Sequence, residues 1–325
     1  MKHYLRVAGA LMILIALPAG AEERYRSLLF QNDLFLGHDG GGYTNGIFLS
    51  QVDVTSPGEA KVEPSLLLRQ IAPLLGLPSA TLTASSLGQL MVTPRDITRV
   101  HPDPNDAPYA GALVFRSAQV YVHDDAAEIL AMSIGVIGPA SGAAPTQRLA
   151  HRLFGADRPE GWASQVPNRP LLGLERYRSW RWADQSAAHE NGSDVILMGG
   201  GSISNLESSA GLSLIVRYGK GLERSFPAVG RLSVNSADPM LIGAGWFGFA
   251  SLSADRRFNY VGVGSDAPID NDARLQKSRF LGTIGLVSGW GRSSVSFALQ
   301  SANPAVRGSS RMQSYGSLTY SYRIS

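Results

Sequence analysis

The chain has 325 residues, of which 44% are hydrophobic and 17% are charged, and it contains no cysteine. It has no run of about eighteen consecutive apolar residues, which excludes a bundle of membrane-spanning helices, and the lack of cysteine excludes disulfide frameworks and thiolate metal or redox sites. The formal net charge is +3, and it falls to +1 when Lys2 and Arg6 of an N-terminal leader are subtracted, so no basic patch indicates a nucleic-acid partner.

The leader occupies residues 1–21. Lys2 and Arg6 flank the start of an apolar stretch that runs from Val7 to Ala19 and is followed by Gly20 and Ala21. A basic start, an apolar centre and small residues at the end are typical of a secretory signal peptide. We expect cleavage before Glu22, leaving 22–325 as a single exported domain; a buried N-terminal helix is the alternative.

Alternation of residue type with a period of two dominates the rest of the chain. In one segment the apolar Leu212, Leu214 and Val216 alternate with Ser213 and Arg217. One apolar face and one small or polar face suit a wall between lipid and a polar lumen. The pattern predicts about twelve strands: 25–36, 44–54, 87–94, 110–122, 127–138, 170–183, 193–204, 209–219, 243–261, 278–290, 292–301 and 313–323.

Two all-β architectures are compatible with these strands. A secreted β-sandwich also has alternating strands, whereas an antiparallel transmembrane β-barrel explains the low charge, the even strand number and the length of the strands. Aromatic residues near segment ends fit an interfacial girdle; they are Tyr25, Tyr43, Trp180, Trp182, Trp246, Tyr260 and Trp290. We therefore predict the barrel, with the sandwich as its alternative.

With both termini in the periplasm, the odd-numbered connections face outward. The connections 37–43, 95–109 and 139–169 then share one rim, and Pro145–Phe154 in the third is expected to form a short helix, since Leu149 and Leu153 are four residues apart. The connection 55–86 is expected to be periplasmic, with a short amphipathic helix of its own.

The first strand carries a polar anomaly. Asn32 lies among the apolar even positions of the strand, and Asp33 follows it. A carboxamide facing lipid is costly, so we expect a bulge or a covering loop, or else a position above the hydrocarbon at the rim. The glycine-rich stretch 37–42 that follows is either a hairpin tip or a nest of backbone N–H groups.

A histidine of the third outer loop, His151, is the candidate general base, with a solvated surface histidine as the alternative. The chain has no G-x-S-x-G, H-E-x-x-H or P-loop motif. Ser141 precedes His151 by ten residues, but no motif marks it as a nucleophile.

Several short motifs follow one another through the N-terminal half. They are Phe30-Gln31-Asn32-Asp33, Gly42-Tyr43-Thr44-Asn45-Gly46, Asp106-Ala107-Pro108-Tyr109-Ala110-Gly111 and Gly135-Val136-Ile137-Gly138-Pro139, then Gln147, His151-Arg152, Gly155, Gly161-Trp162 and Gln165. In order and spacing they resemble the outer-membrane lipid A 3′-O-deacylase family. The C-terminal half resembles this family only in its barrel pattern.

The resemblance implies a twelve-stranded barrel with its active site at the outer leaflet, between the wall and an outer-loop helix. It implies calcium-dependent hydrolysis of the ester that carries the 3′-linked acyloxyacyl group of lipid A. By position, the family's catalytic residues fall on Asn32, Asp33, Thr44 and His151. Asn32 and Thr44 are expected to orient the ester or complete the metal shell.

The family lysine, placed by its spacing from Thr93-Pro94, falls on Arg99. Arginine keeps the positive charge without being an equivalent donor, and we expect Arg99 to hold a lipid A phosphate. The implied mechanism has His151 activating water without an acyl-enzyme. Asp33 is the expected Ca²⁺ ligand, and backbone N–H groups near Gly41 are expected to help stabilise the oxyanion.

Two other functions stay open. One is a non-enzymatic barrel, such as a porin whose small inward residues Ala131 and Ser133 leave a channel. The other is an outer-membrane phospholipase with a serine nucleophile. The expected partners are lipopolysaccharide and the bilayer, and the chain is expected to be a monomer in the bacterial outer membrane.

Overall fold

The structure is a computed structural model, and it describes residues 23–33, 42–55, 67–77, 80–183, 191–232, 243–266, 272–309 and 312–325. Within these ranges the side chains of 42–44 and 230–232 are not described. The predicted leader, Gly41 and the side chain of Thr44 therefore lie outside the described parts. These three predictions remain predictions.

The described residues form twelve β-strands and two short α-helices. The strands are β1 (Glu23–Asn32), β2 (Gly42–Val54), β3 (Leu82–Thr93), β4 (Ala110–His123), β5 (Ala126–Ile137), β6 (Arg169–Ala183), β7 (Gly192–Ser204), β8 (Glu207–Lys220), β9 (Gly245–Tyr260), β10 (Ser278–Trp290), β11 (Ser293–Ala302) and β12 (Gln313–Arg323). The helices are α1 (Ile71–Leu74) and α2 (Ala143–Phe154). Each predicted strand is confirmed, and so is the helix in the third outer loop.

The strands close into a barrel. Each pairs antiparallel with its neighbours in sequence, and β1 also pairs with β12, from Tyr25 opposite Arg323 to Asn32 opposite Gly316. Closure leaves no unpaired sheet edge, as a sheet surrounded by lipid requires. The predicted antiparallel transmembrane β-barrel is confirmed, and the β-sandwich alternative is wrong. In the described ranges, no helix combines the length and apolar character needed to cross a bilayer.

Alternation places opposite chemistry on the two faces of the wall. In β8 the side chains of Leu212, Leu214 and Val216 face outward and are exposed, whereas Ile215 and Arg217 face the lumen and are buried. Outward apolar side chains meet the hydrocarbon, and inward polar ones find partners inside the barrel. The predicted division between a lipid face and a lumen face is therefore confirmed.

The lumen contains polar and apolar side chains and loop segments. Asp194 is fully buried and accepts bonds from Arg217 Nε at 2.9 Å and Arg181 Nε at 2.8 Å. On the periplasmic side, a turn of 3-10 helix over Phe226–Leu232 packs Phe226 against inward side chains such as Ile196. At the opposite end, loop residues and inward strand residues share a second apolar cluster. The described side chains thus occupy the interior of the barrel at both ends.

Aromatic side chains form a belt at the periplasmic ends of the strands. The exposed members are Trp180, Trp182, Tyr218, Trp246, Trp290, Tyr320 and Tyr322. Tyr25 and Tyr260 are buried on the lumen side instead, so their predicted place in the girdle is wrong. Both occupy inward positions of the alternation, which the sequence distance from a strand end does not reveal.

Candidate active site

A groove lies between the outer face of the barrel wall and α2. Its wall is formed by outward positions of β1, β2 and β3, and its cover by one side of α2. The volume of the groove is about 450 Å³. Its lining is Phe30, Asn32, Asp33, Asn45, Ile47, Met91, Thr93, Pro94, Arg95, Ile97, Thr146, Gln147, Leu149, Ala150, His151, Leu153, Phe154, Ala156 and Asp157.

The N-terminal end of α2 is held against the wall by close packing on β4. A Cβ atom at Gly111 would lie 2.4 Å from Ala143 Cβ and 2.4 Å from Ser141 Oγ, so only glycine allows this approach. Gln89, on the outward side of β3, donates from Nε2 to Ser141 O at 2.7 Å. The segment that leads into α2 is thereby fixed to two strands.

A small core beneath α2 fixes the helix from below. Met91, Ile97, Tyr109, Ala143 and Trp162 are buried together. Trp162 Nε1 donates to Gln147 Oε1 at 2.7 Å, and Tyr109 donates its hydroxyl to Ile97 O at 3.0 Å. Burial raises the pKa of Tyr109 to about 12, so its hydroxyl stays protonated as the donor.

His151 lies on the last turns of α2 with its ring in the groove. Its Nδ1 is 2.5 Å from the backbone oxygen of Asp157. Because a carbonyl oxygen only accepts, Nδ1 carries the proton and the neutral ring has its lone pair on Nε2. Gly155, with φ of 67°, ends the helix in the left-handed region and lets the chain turn back toward the ring.

Asn32 and Asp33 stand at the extracellular end of β1, which ends at Asn32; residues 34–36 of the predicted strand lie outside the described parts. Both are buried, with 8% and 4% of their surfaces exposed, so the solvated-rim interpretation of Asn32 is wrong. Both line the groove that α2 bounds, so neither faces open lipid. A bulge also occurs, but in β2, where Thr44 lies between the paired residues Tyr43 and Asn45.

Arg95 lines the groove and is the functional candidate that sequence reasoning missed. Its Nε lies 3.1 Å from Asp106 Oδ2, which also accepts from the Arg95 backbone N–H at 2.9 Å. Asp106 is buried and belongs to one of the motifs of the N-terminal half. The position of Arg95, directly after Thr93-Pro94 at a strand end, was the available signal.

Arg99 does not line the groove. Its side chain is exposed on the loop that follows β3. The turn before it is fixed by Asp96, whose Oδ1 accepts from the Thr98 hydroxyl at 2.6 Å and from the Thr98 N–H at 3.0 Å. These hydrogen bonds lower the pKa of Asp96. The structure therefore brings Asn32, Asp33 and His151 together with Arg95, and leaves Arg99 outside.

The groove is polar at one end and apolar along its length. Leu149, Leu153 and Phe154 of α2 have 54%, 72% and 78% of their surfaces exposed and face Phe30 and Ile47 of the wall across the groove. Exposed apolar side chains on this scale mark a surface that meets lipid. The arrangement suits a molecule with acyl chains and a polar head.

The oxygen donors at the polar end are compatible with a calcium ion. Ca²⁺ takes six to eight hard oxygen ligands, including carboxylates and carboxamide oxygens. Asp33 offers a carboxylate, and Asn32, Asn45 and Thr93 offer neutral oxygens in the same groove. Among the described residues no group of three or more His, Cys, Asp or Glu side chains is arranged around a metal position. A site here therefore depends on neutral oxygen ligands as well as Asp33.

Comparison with known proteins matches the chain to one family over nearly its whole length. The sequence profile described as "Outer membrane protein LpxR" matches residues 7–324. This chain belongs to the LpxR family. The match confirms the family expected from the motifs and makes the barrel an outer-membrane protein.

One solved structure agrees with this assignment at the level of the fold. LpxR from Salmonella typhimurium superposes with a TM-score of 0.74 at 17% identity, covering 92% of this chain and 99% of that one. The β domain of the Bordetella autotransporter BrkA aligns with a TM-score of 0.42 at 9% identity, covering 93% of this chain and 99% of that one. No curated protein sequence is significantly similar to this chain.

Proposed function

We propose that this LpxR-family barrel is a calcium-dependent lipid A 3′-O-deacylase that hydrolyses the ester of the 3′-linked acyloxyacyl group. One observation carries the proposal: the His151 ring, with Nε2 available as a base, lies in a lipid-facing groove beside the Asn32 and Asp33 pair. An ester lipid of the outer leaflet has access to such a groove without leaving the bilayer.

His151 acts as the general base. Its Nε2 accepts a proton from water while Asp157 O holds Nδ1–H, and the water oxygen bonds to the ester carbonyl carbon. The bond between the carbonyl carbon and the sugar oxygen then breaks, and the imidazolium returns the proton to the sugar oxygen. The products are a free acyloxyacyl acid and a 3′-hydroxyl, and the enzyme is regenerated without a covalent intermediate.

Substrate position follows from the two ends of the groove. Leu149, Leu153 and Phe154 pack against the acyl chains from the helix side, and Phe30 and Ile47 pack from the wall. Because acyl chains in the bilayer are already out of water, these contacts place the ester at His151 through packing and not through removal of apolar surface from water.

The polar end of the groove binds the charged parts of the substrate and the metal ion. Arg95, held by Asp106, grips a phosphate of the lipid A head, a role that the sequence had assigned to Arg99. Asp33 and the oxygens of Asn32 and Thr44 would hold Ca²⁺, and backbone N–H groups near Gly41 would stabilise the oxyanion. When bound, calcium supplies positive charge that polarises the ester carbonyl.

The two alternative functions have less support. A porin needs an open lumen, but the described interior contains the Asp194 ion pairs and the Phe226–Leu232 turn. A serine nucleophile needs a serine beside the base, and none lies among the described residues that line the groove. Ser141 is 3% exposed and packs beneath Gly111.

The deciding experiment is mass spectrometry of lipid A from cells that express the chain, with calcium and with chelator. The wild type is expected to remove one acyloxyacyl mass only with calcium. His151→Ala is expected to lose activity by at least about 100-fold, since general base catalysis contributes 10² to 10⁴. Heat-modifiable migration checks that the variant is folded. Full activity of a folded His151→Ala variant would exclude this mechanism.

A further inference from the structure

A second concavity opens at the extracellular rim, among the segments that precede β10, follow β11 and precede β12. It encloses about 690 Å³ and is separate from the groove beneath α2, sharing no lining residue with it. Its lining is Leu275, Gln276, Lys277, Ser278, Asn303, Pro304, Val306, Arg307, Gly308, Ser309 and Met312. We call it the rim concavity.

The backbone around the rim concavity is ordered by pairing above the barrel. The segments before β10 and after β11 continue to pair, with Gln276 N–H donating to Ala305 O and Arg307 N–H donating to Arg274 O, each at 2.7 Å. Asn303 bridges to β10 through Nδ2, which donates to Ser278 O at 2.8 Å. The two cationic residues of the concavity, Lys277 and Arg307, therefore extend from a fixed backbone.

The charge of the rim concavity is positive. Lys277 and Arg307 are exposed, and none of its described lining residues is acidic. Among the described residues, neither cation forms a salt bridge. Gln276, Ser309 and Asn303 add neutral hydrogen-bonding groups. This combination suits a phosphate, which takes charge-assisted bonds from both arginine and lysine.

The surface below the rim concavity is apolar and faces lipid. Phe280 is 64% exposed and Ile284 is 60% exposed on the outward side of β10, and Met312 is 50% exposed at the concavity itself. A ligand held here has a phosphate at the height of the rim and hydrocarbon against the wall. A ligand with a phosphate above and acyl chains below is a phosphorylated lipid of the outer leaflet.

We propose that the rim concavity binds the phosphorylated head of a lipopolysaccharide molecule, separate from the one in the catalytic groove. The identity of the lipid rests on the proposed function, because a lipid A deacylase works among lipopolysaccharide molecules. The site itself rests on Lys277, Arg307 and the apolar wall beneath them. It holds a lipid beside the barrel without hydrolysing it, as its described lining contains no histidine, aspartate or glutamate to act as a general base.

The test counts lipids bound to the full mature protein in zwitterionic detergent by native mass spectrometry. All proteins carry His151→Ala to prevent turnover. The double charge reversal Lys277→Glu with Arg307→Glu is expected to lower the affinity for one of the two bound lipopolysaccharides by about tenfold or more, because two charge-assisted contacts are lost. The matched control reverses Lys220 and Arg292, an exposed lysine and arginine at the periplasmic ends, and is expected to keep both lipids.

Two comparisons make the outcome decisive. Double neutralisation with Lys277→Gln and Arg307→Gln replaces the reversal if that variant loses heat-modifiable migration. Unchanged binding in a folded variant would overturn the site, and equal binding of phosphatidylglycerol through the same two residues would overturn the lipopolysaccharide assignment. Failure of the deacylase proposal gives a different result. In that case the lipopolysaccharide that is lost is the one in the catalytic groove, whose binding does not depend on Lys277 and Arg307.

Discussion

At the scale of single residues, the side chains of the site differ in how clearly the sequence identifies them. Asn32 stands out because it interrupts an apolar face, and Asp33 follows it directly, so the sequence alone singles out this pair. His151 has no local anomaly, and only the resemblance selects it. Arg95 and Arg99 lie four positions apart on one loop, and no rule of periodicity in a loop tells which side chain enters the groove.

The two arginines give the first residue-scale prediction. Replacing Arg95 with Gln is expected to raise KM for lipid A about tenfold with little change in kcat, because a phosphate contact binds substrate and transition state alike. Arg99→Gln is the matched control, since its side chain is exposed outside the groove. Kinetics on purified lipid A in mixed micelles measure both. A larger effect at Arg99 than at Arg95 would return the phosphate role to Arg99.

Asp33 gives the second residue-scale prediction. Asp33→Asn keeps the size of the side chain and removes a negative ligand, so the calcium concentration that gives half-maximal activity is expected to rise about tenfold or more. Asp157→Asn is the control: it makes the same change in charge in the same groove, but that residue serves His151 through its backbone oxygen. A calcium titration of deacylation separates them. Equal calcium curves for wild type and Asp33→Asn would remove Asp33 from the metal shell.

At the scale of elements, the strands follow from their period and α2 follows from its contacts. Alternation located each strand, although β3 begins at Leu82 and not at 87, because Ser85 and Ser86 interrupt the pattern. The helical segment was visible from Leu149 and Leu153. Its place over β1 to β4 depends on the closeness that Gly111 permits and on the buried bond between Trp162 and Gln147.

Gly111 gives the prediction at this scale. Gly111→Ala puts a Cβ 2.4 Å from atoms of Ser141 and Ala143, so the start of α2 must move away from the wall. Activity is expected to fall about tenfold or more, because small displacements of a base are costly in rate. Gly282→Ala in β10 is the matched control, since its Cβ would meet nothing closer than 3.9 Å. Both barrels are expected to keep heat-modifiable migration, and full activity of Gly111→Ala would contradict the packing argument.

At the scale of the whole molecule, closure of the barrel and the content of its lumen decide what passes through it. Buried ions are tolerated where they pair, and Asp194 between Arg181 and Arg217 is such a case. Outward, the same alternation presents apolar side chains to lipid. The barrel is therefore a scaffold, and the proposed active site lies on the outside of its wall.

The side chains and loop segments at both ends of the lumen give the whole-molecule prediction. The reconstituted protein is expected to show no unitary conductance steps in planar bilayers, since side chains and the Phe226–Leu232 turn occupy the interior. A general porin reconstituted in the same membrane is the positive control. Regular conductance steps that persist in the His151→Ala variant would favour the channel alternative.

The sequence by itself determined the strand number, the lipid-facing positions and the existence of a helix in the third outer loop. These are local properties, because the period of two of a strand and the period of 3.6 of a helix are visible in the order of neighbouring residues. Only the tertiary structure decided that side chains and loop segments occupy both ends of the lumen, that Tyr25 and Tyr260 face inward, and that Arg95 lines the groove instead of Arg99. Each of these depends on contacts between segments far apart in the chain, whose geometry arises when the barrel closes and α2 packs on its wall.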